Sequence, residues 1–386
     1  MSSSKSIEPH RVFFFSGVLA SCILLLWWSS SLLFGGQAHP AVPPVMAHAL
    51  LMLLGVFPPF MLGFIFTAGP RWLAVQPPEG YLLAGGAYFG GTLLALIGLT
   101  EAPWLAAAGF ALMAFAWFLV TWRWQRLIVR STQADKRHAR YLLMAMLLGI
   151  GAMLAALVWV ASGDAGWWLA SRELVLWGFL LPVFLTVAHR MIPFFSGNII
   201  KPYQMWRPDW LLDVWIAGSL LLGALEWLGW HAVQAPLAFA LAGLFGYTSV
   251  RWGVVKSLDN RLLAMLHLAF AWLAPAMVLL GLGGLGVAVG AAPVHALGLG
   301  MFMTMLVGFV TRVTLGHSGR PLAADNVAWA IYCGLHGVAL MRVLAALIGN
   351  TALLHAASAL WLVLMLLWAA RVLPMYIRPK APGAAS

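Results

Sequence analysis

Runs of 18 or more apolar residues recur along the whole length of this chain, and each is long enough to cross a membrane as a helix. Of the 386 residues, 63% are hydrophobic and 9% charged, with a mean hydropathy of +0.92. A soluble domain carries about 25% charged residues. This chain cannot cover a globular surface with charge, which excludes a soluble enzyme and a disordered protein. It reads as a polytopic membrane protein.

Splitting the sequence at charged or Pro/Gly-rich breaks gives twelve segments, at about 12–34, 44–67, 80–99, 103–122, 141–161, 168–189, 210–228, 231–250, 262–282, 291–311, 326–348 and 352–373. The first is too long for the apolar core of a signal peptide and reads as a retained helix. The predicted fold is all-α: one twelve-helix membrane domain over 12–373, with tails at 1–11 and 374–386. With the N-terminus in the cytoplasm, all but Arg172 and Arg342 of the 22 Lys and Arg fall at the cytoplasmic side. Both termini are therefore expected inside. The net charge of +11 sits in short loops, as membrane orientation requires, and implies no nucleic-acid partner. The longest polar loop is expected between Arg123 and Arg140. Gly86 with Gly90, and Gly286 with Gly290, have the spacing of close helix contacts. Trp27, Trp28, Trp72, Trp167 and Trp168 sit at span ends, as an interfacial belt does. Cys22 and Cys333 fall in apolar segments and read as core residues, not a disulfide framework.

An ionisable residue inside a span is costly, which makes it a functional candidate. The topology sorts the histidines by depth: His39, His48, His231, His295 and His355 outside, His189, His267 and His317 inside, His336 near mid-span. His48 and His295 each open an inward-running span with His-Ala-Leu, which puts two imidazoles at similar depth, as the axial ligands of one haem require. His48 could equally pair with His355 or His39. The ordinary alternative for each is a neutral histidine bonded to backbone or hydroxyl. His295 and His317, 22 residues apart, cannot share a metal. A second, inner site would use His267 and His317, for another haem, a copper ion or a quinone. Arg190, Arg312 and Arg320 lie nearby and suit an anionic group such as a haem propionate, or serve as ordinary loop charge. Arg342 breaks the charge rule at a depth that suits a propionate of the outer haem. Packing is the expected role of the 18 methionines, although Met46 beside His48 is a soft ligand for Cu(I).

The chain carries no nucleophile elbow, P-loop, HExxH or CxxC. Glu173, Glu226 and Asp213 lie within or at the ends of spans, compatible with a proton path. Pro58-Pro59 and Pro182 are expected to break two helices.

The stretch from Thr311 through Arg312, His317 and Arg320 to Leu322, following His295-Ala296-Leu297, resembles the signature of the NnrS family. These are bacterial inner-membrane proteins associated with nitric oxide metabolism and described as containing haem and copper. The resemblance extends along most of the chain. Phe66-Thr67-Ala68-Gly69-Pro70-Arg71-Trp72, Arg190-Met191-Ile192-Pro193-Phe194-Phe195-Ser196, His267 with Trp272, and Met341-Arg342-Val343 match in order and spacing. One departure stands out. Family members often begin the second span with histidine-x-histidine-glutamate-methionine, and here it reads Met46-Ala47-His48-Ala49-Leu50. If the missing histidine and glutamate help to hold a second metal, copper at the outer site lacks them.

The resemblance implies a haem-binding membrane protein in nitric oxide metabolism or protection from nitrosative stress. Haem b would be held by His48 and His295, with Arg342 as propionate partner. Nitric oxide or a related small molecule, the bilayer, and a quinone or other electron donor are the expected partners. An enzymatic nitric oxide reductase is one alternative; it needs an open metal position and a proton path. A cofactor-free transporter of a small solute or metal is another.

Overall fold

The computed structural model describes residues 8–35 and 41–378, so His39 and the outermost tail residues lie outside the described residues. All secondary structure among the described residues is helical. Twelve helices are long and apolar enough to cross a membrane: α1 (Pro9–Leu33), α2 (Pro44–Trp72), α3 (Tyr81–Glu101), α4 (Pro103–Arg130), α5 (Arg137–Ser162), α6 (Ala165–Ile199), α7 (Asp209–Trp227), α8 (His231–Trp252), α9 (Arg261–Gly284), α10 (Ala292–Ser318), α11 (Asn326–Ile348) and α12 (Thr351–Ile377). Large apolar side chains stand exposed along them, Leu83 at 70% and Phe115 at 55% among them. Such surface is stable against lipid, not water. The chain is a multi-pass membrane protein.

It divides into two compact units, residues 1–183 with 371–379 and residues 184–370 with 380–386. Three helices stand out by burial: α2, α6 and α10, with 94%, 89% and 78% of their apolar windows buried. The same three carry π-helical stretches, Leu51–Val56, Leu174–Leu180 and Ala296–Met303. A π turn widens the helix and frees backbone groups, and such turns concentrate at functional sites.

The prolines expected to break two helices are instead absorbed by these turns. Each π stretch ends two residues before a proline, Val56 before Pro58-Pro59 and Leu180 before Pro182, and α2 and α6 run on through them. Proline removes an N–H and crowds the carbonyl four residues back. For Pro58 that carbonyl belongs to Leu54, and Tyr88 of α3 donates its hydroxyl proton to it at 2.6 Å.

Three smaller expectations are also corrected. The Arg123–Arg140 stretch is mostly helix, leaving a connection of residues 131–136. Lys136 Nζ closes it by donating to the carbonyls of Ile128 and Ser131 at the end of α4. Gly86 and Gly90 face open space, and Gly286 and Gly290 lie in a turn at φ +88° and +52°. The tight contact is between α3 and α4, where a Cβ on Gly98 would lie 1.9 Å from Ala106 N and one on Gly109 2.4 Å from Ala95 N. Cys333 is exposed on α11, so it belongs to the surface and not the core.

Candidate functional site

In the first unit, His48 is the fifth residue of α2 and its ring stacks on Trp28 of α1, with centroids 3.9 Å apart and planes at 21°. Two residues earlier, the Met46 carbonyl accepts a 3.1 Å bond from Trp168 Nε1 of α6. The Arg172 guanidinium lies over the Trp168 ring, 5.2 Å from its centroid. Arg172 Nε donates to Glu173 Oε1 at 2.5 Å, and Glu173 is 5% exposed. Arg172, anomalous by charge distribution, is thus the partner that lets a carboxylate stay buried. Glu173 immediately precedes the π stretch of α6. Trp28 and Trp168, read from sequence as interfacial belt, are the walls and clasp of this region. Nothing in the sequence separates them from the other tryptophans at span ends.

In the second unit, the Nδ1 of His295 lies 2.8 Å from the Ala291 carbonyl oxygen. A carbonyl only accepts, so Nδ1 of the neutral ring carries the proton and Nε2 keeps its lone pair, the form that binds metals. The antiparallel α10 and α11 are in fixed register: Gly290 faces the Ala346 carbonyl, and His295 is within electrostatic range of Arg342. This register sets His295 and Arg342 at the same level of the α10–α11 pair. Arg342 forms no ion pair among the described residues.

Deeper in the same unit, Trp272 of α9 lies against Gly300 in the π stretch of α10, where a Cβ would come within 2.4 Å of the indole. Trp272 Nε1 donates to His336 Nδ1 of α11 at 2.8 Å. Tyr332 packs edge-on against His336, with centroids 4.7 Å apart, and donates its hydroxyl proton to the Met265 carbonyl.

The remaining candidates lie further along α9 and α10. His267 is 2% exposed, and its Nε2 shares a 2.8 Å hydrogen bond with the fully buried Ser196 hydroxyl of α6. The half-buried Tyr203 ring sits against Gly197; burial pushes its phenol up from the ordinary value, opposed by the Ser196 hydroxyl. Arg312 lies flat on Phe195, its guanidinium carbon 3.8 Å from the ring centroid. His317 Nδ1 lies 3.0 Å from the Val313 carbonyl oxygen of its own helix, again leaving Nε2 with its lone pair. Arg190 is partly buried on α6, and Arg320 is exposed just past α10.

His267 and His317 are not brought together. Gly308 meets Met265 at 3.1 Å and Gly300 meets Trp272, which fixes the antiparallel register of α9 and α10. At 1.5 Å per residue, His317 lies roughly 16 Å further along the axis than His267, too far to share a metal ion. Among the described residues no group of three or more His, Cys, Asp or Glu is placed to hold a metal. Glu226, considered for a proton path, is held at the end of α7 by Gln234 Nε2 at 2.9 Å and by His231 at 3.6 Å.

Comparison with curated proteins finds no match for the chain. The family model described as NnrS protein matches residues 7–380, nearly its whole length. This twelve-helix membrane chain belongs to the NnrS family.

Proposed function

We propose that this chain is a haem-binding protein of the bacterial inner membrane that acts in nitric oxide metabolism or protection from nitrosative stress. Family membership is consistent with a nitric-oxide-related membrane protein. The observation that carries the haem reading is the state of His295. Its Nδ1 proton is directed to the Ala291 carbonyl, its Nε2 lone pair is retained, and the Arg342 guanidinium stands within electrostatic range. An imidazole oriented by a backbone carbonyl, with a guanidinium for a carboxylate, is the chemistry that a haem iron and a propionate need.

In this reading His48, held flat by Trp28, and His295 are each a haem-ligand candidate within its own unit, and Arg342 meets a propionate. Arg190, Arg312 and Arg320 are further cationic groups for anionic substituents. His267 and His317 belong to separate environments, so neither is assigned a shared metal. Bound haem b would supply an iron for one-electron transfer and for contact with nitric oxide. Copper is not required by this donor set.

The test is the optical spectrum of detergent-purified protein, oxidised and reduced, from cells supplied with haem. A haem b spectrum is expected in the wild type, lost in His48→Ala and in His295→Ala. Absence of a Soret band in the wild type overturns the reading and leaves a cofactor-free transporter in the lead.

A further inference from the structure

His336 occupies the middle of α11, a span of 23 residues. Indole N–H groups only donate, so the 2.8 Å bond from Trp272 Nε1 makes His336 Nδ1 an acceptor. The proton of the neutral ring is then on Nε2. That Nε2–H is buried and has no acceptor among the described residues. A buried donor left unmade is costly, and such a group in a folded protein calls for an explanation.

Its surroundings are aromatic. Trp272 lies parallel to the His336 ring at 8°, Tyr332 meets it edge-on, and Trp329 stacks on Tyr332 at 5.8 Å. The same stripe of α11 is open to the hydrocarbon. Cys333 and Leu340, three residues before and four after His336, are exposed. At Gly337 a Cβ would meet nothing within 4 Å.

A group in the middle of a membrane span, beside a helix face open to lipid, is not served by an ion or a water-soluble metabolite. The ligand must be apolar enough to partition into hydrocarbon, flat enough for the aromatic stack, and equipped with a hydrogen-bond acceptor. An acyl chain has no acceptor at this depth. We propose that Trp272, Tyr332 and His336 form a binding site for the ring of a lipid-soluble quinone, with His336 Nε2–H donating to one quinone carbonyl. Trp272 is a positioning residue: its bond to Nδ1 holds the ring in the tautomer that presents the donor. Gly337 leaves the entry from lipid unobstructed.

The site is tested with decylubiquinone added to the purified full-length protein in lipid vesicles. Binding is followed by quenching of tryptophan fluorescence, and the quinone carbonyl stretch by difference infrared spectroscopy. Saturable binding with a carbonyl band moved to lower wavenumber is expected. His336→Phe is expected to abolish the band shift and weaken binding about tenfold. Gly337→Leu, which enters open space, is expected to leave folding unchanged by circular dichroism and to weaken binding by obstructing entry. Failure of the wild type to bind saturably overturns the site. So does undiminished binding in His336→Phe, or in Gly337→Leu where His336→Phe does not fold. Quinone binding is read without a Soret band, so this site and the haem reading can fail independently.

Discussion

The Tyr88 hydroxyl donates a 2.6 Å hydrogen bond to the carbonyl of Leu54, the acceptor that Pro58 four residues later cannot use. Both groups are buried, so the carbonyl has no water to turn to. A chain reading of α2 sees only a helix with two prolines in it. The neighbouring helix supplies the missing donor, and the π turn gives the proline ring room.

Tyr88→Phe keeps the ring and removes this donor. It is expected to lower stability by about 1–3 kcal/mol, because the Leu54 carbonyl is left buried and unmade. The unfolding midpoint in detergent, compared with the wild type, measures it. An unchanged midpoint would mean that the π turn satisfies the carbonyl by itself.

Gly98 and Gly86 lie on the same helix and should answer a single methyl group in opposite ways. At Gly98 a Cβ would fall 1.9 Å from Ala106 N, so Gly98→Ala must push α3 and α4 apart. Backbone against backbone leaves no flexible side chain to yield, and a loss of about 1–3 kcal/mol or more is expected. Gly86 has nothing within 4 Å, and Gly86→Ala should be neutral or slightly stabilising because alanine is the better helix former. Expression yield and thermal midpoint of the two variants separate these outcomes.

Ser196 and His267 are coupled through one buried hydrogen bond of 2.8 Å. Ser196→Ala is expected to destabilise the protein by about 1–3 kcal/mol, by stranding an imidazole that has no contact with water. His267→Phe should cost less in the Ser196→Ala background than in the wild type. A double-mutant cycle on unfolding midpoints reads the difference, and strict additivity would show that the bond carries no net stability.

Trp28 is expected to orient His48, since the two rings stack at 3.9 Å. If His48 ligates haem, Trp28→Phe should retain an aromatic partner and a near-normal spectrum. Trp28→Ala frees the ring, and loss of a stacking contact worth about 0.5–1.5 kcal/mol corresponds to roughly two- to tenfold weaker haem retention. Haem-to-protein ratio and the low-spin electron paramagnetic resonance signal measure it. Equal retention in both variants would reduce Trp28 to ordinary packing.

The sequence by itself determined the membrane class, the twelve spans and the family. Hydropathy over some twenty residues is a local property that does not depend on what a helix packs against, so each span can be read off alone. The NnrS signature from Thr311 to Leu322 is likewise contiguous. The depth of a residue along its helix is also local, which is why Arg342 could be placed level with His295 before any contact between α10 and α11 was known.

Only the tertiary structure decided which groups meet. Contact depends on helix rotation and register, and neither leaves a signal in one chain. Register places His267 beside Ser196 and carries His317 roughly 16 Å further along the axis. Rotation turns Gly86 to open space while Gly91 and Gly98 face α4. The tautomers of His295 and His336 are set by an Ala291 carbonyl on one helix turn and by a Trp272 indole from another helix. One imidazole thereby keeps a lone pair for a metal and the other presents a proton, although the two residues are alike in the sequence. The physical reason is that a buried polar group takes its chemical form from its hydrogen-bond partner, and for His336 folding brings that partner from another helix.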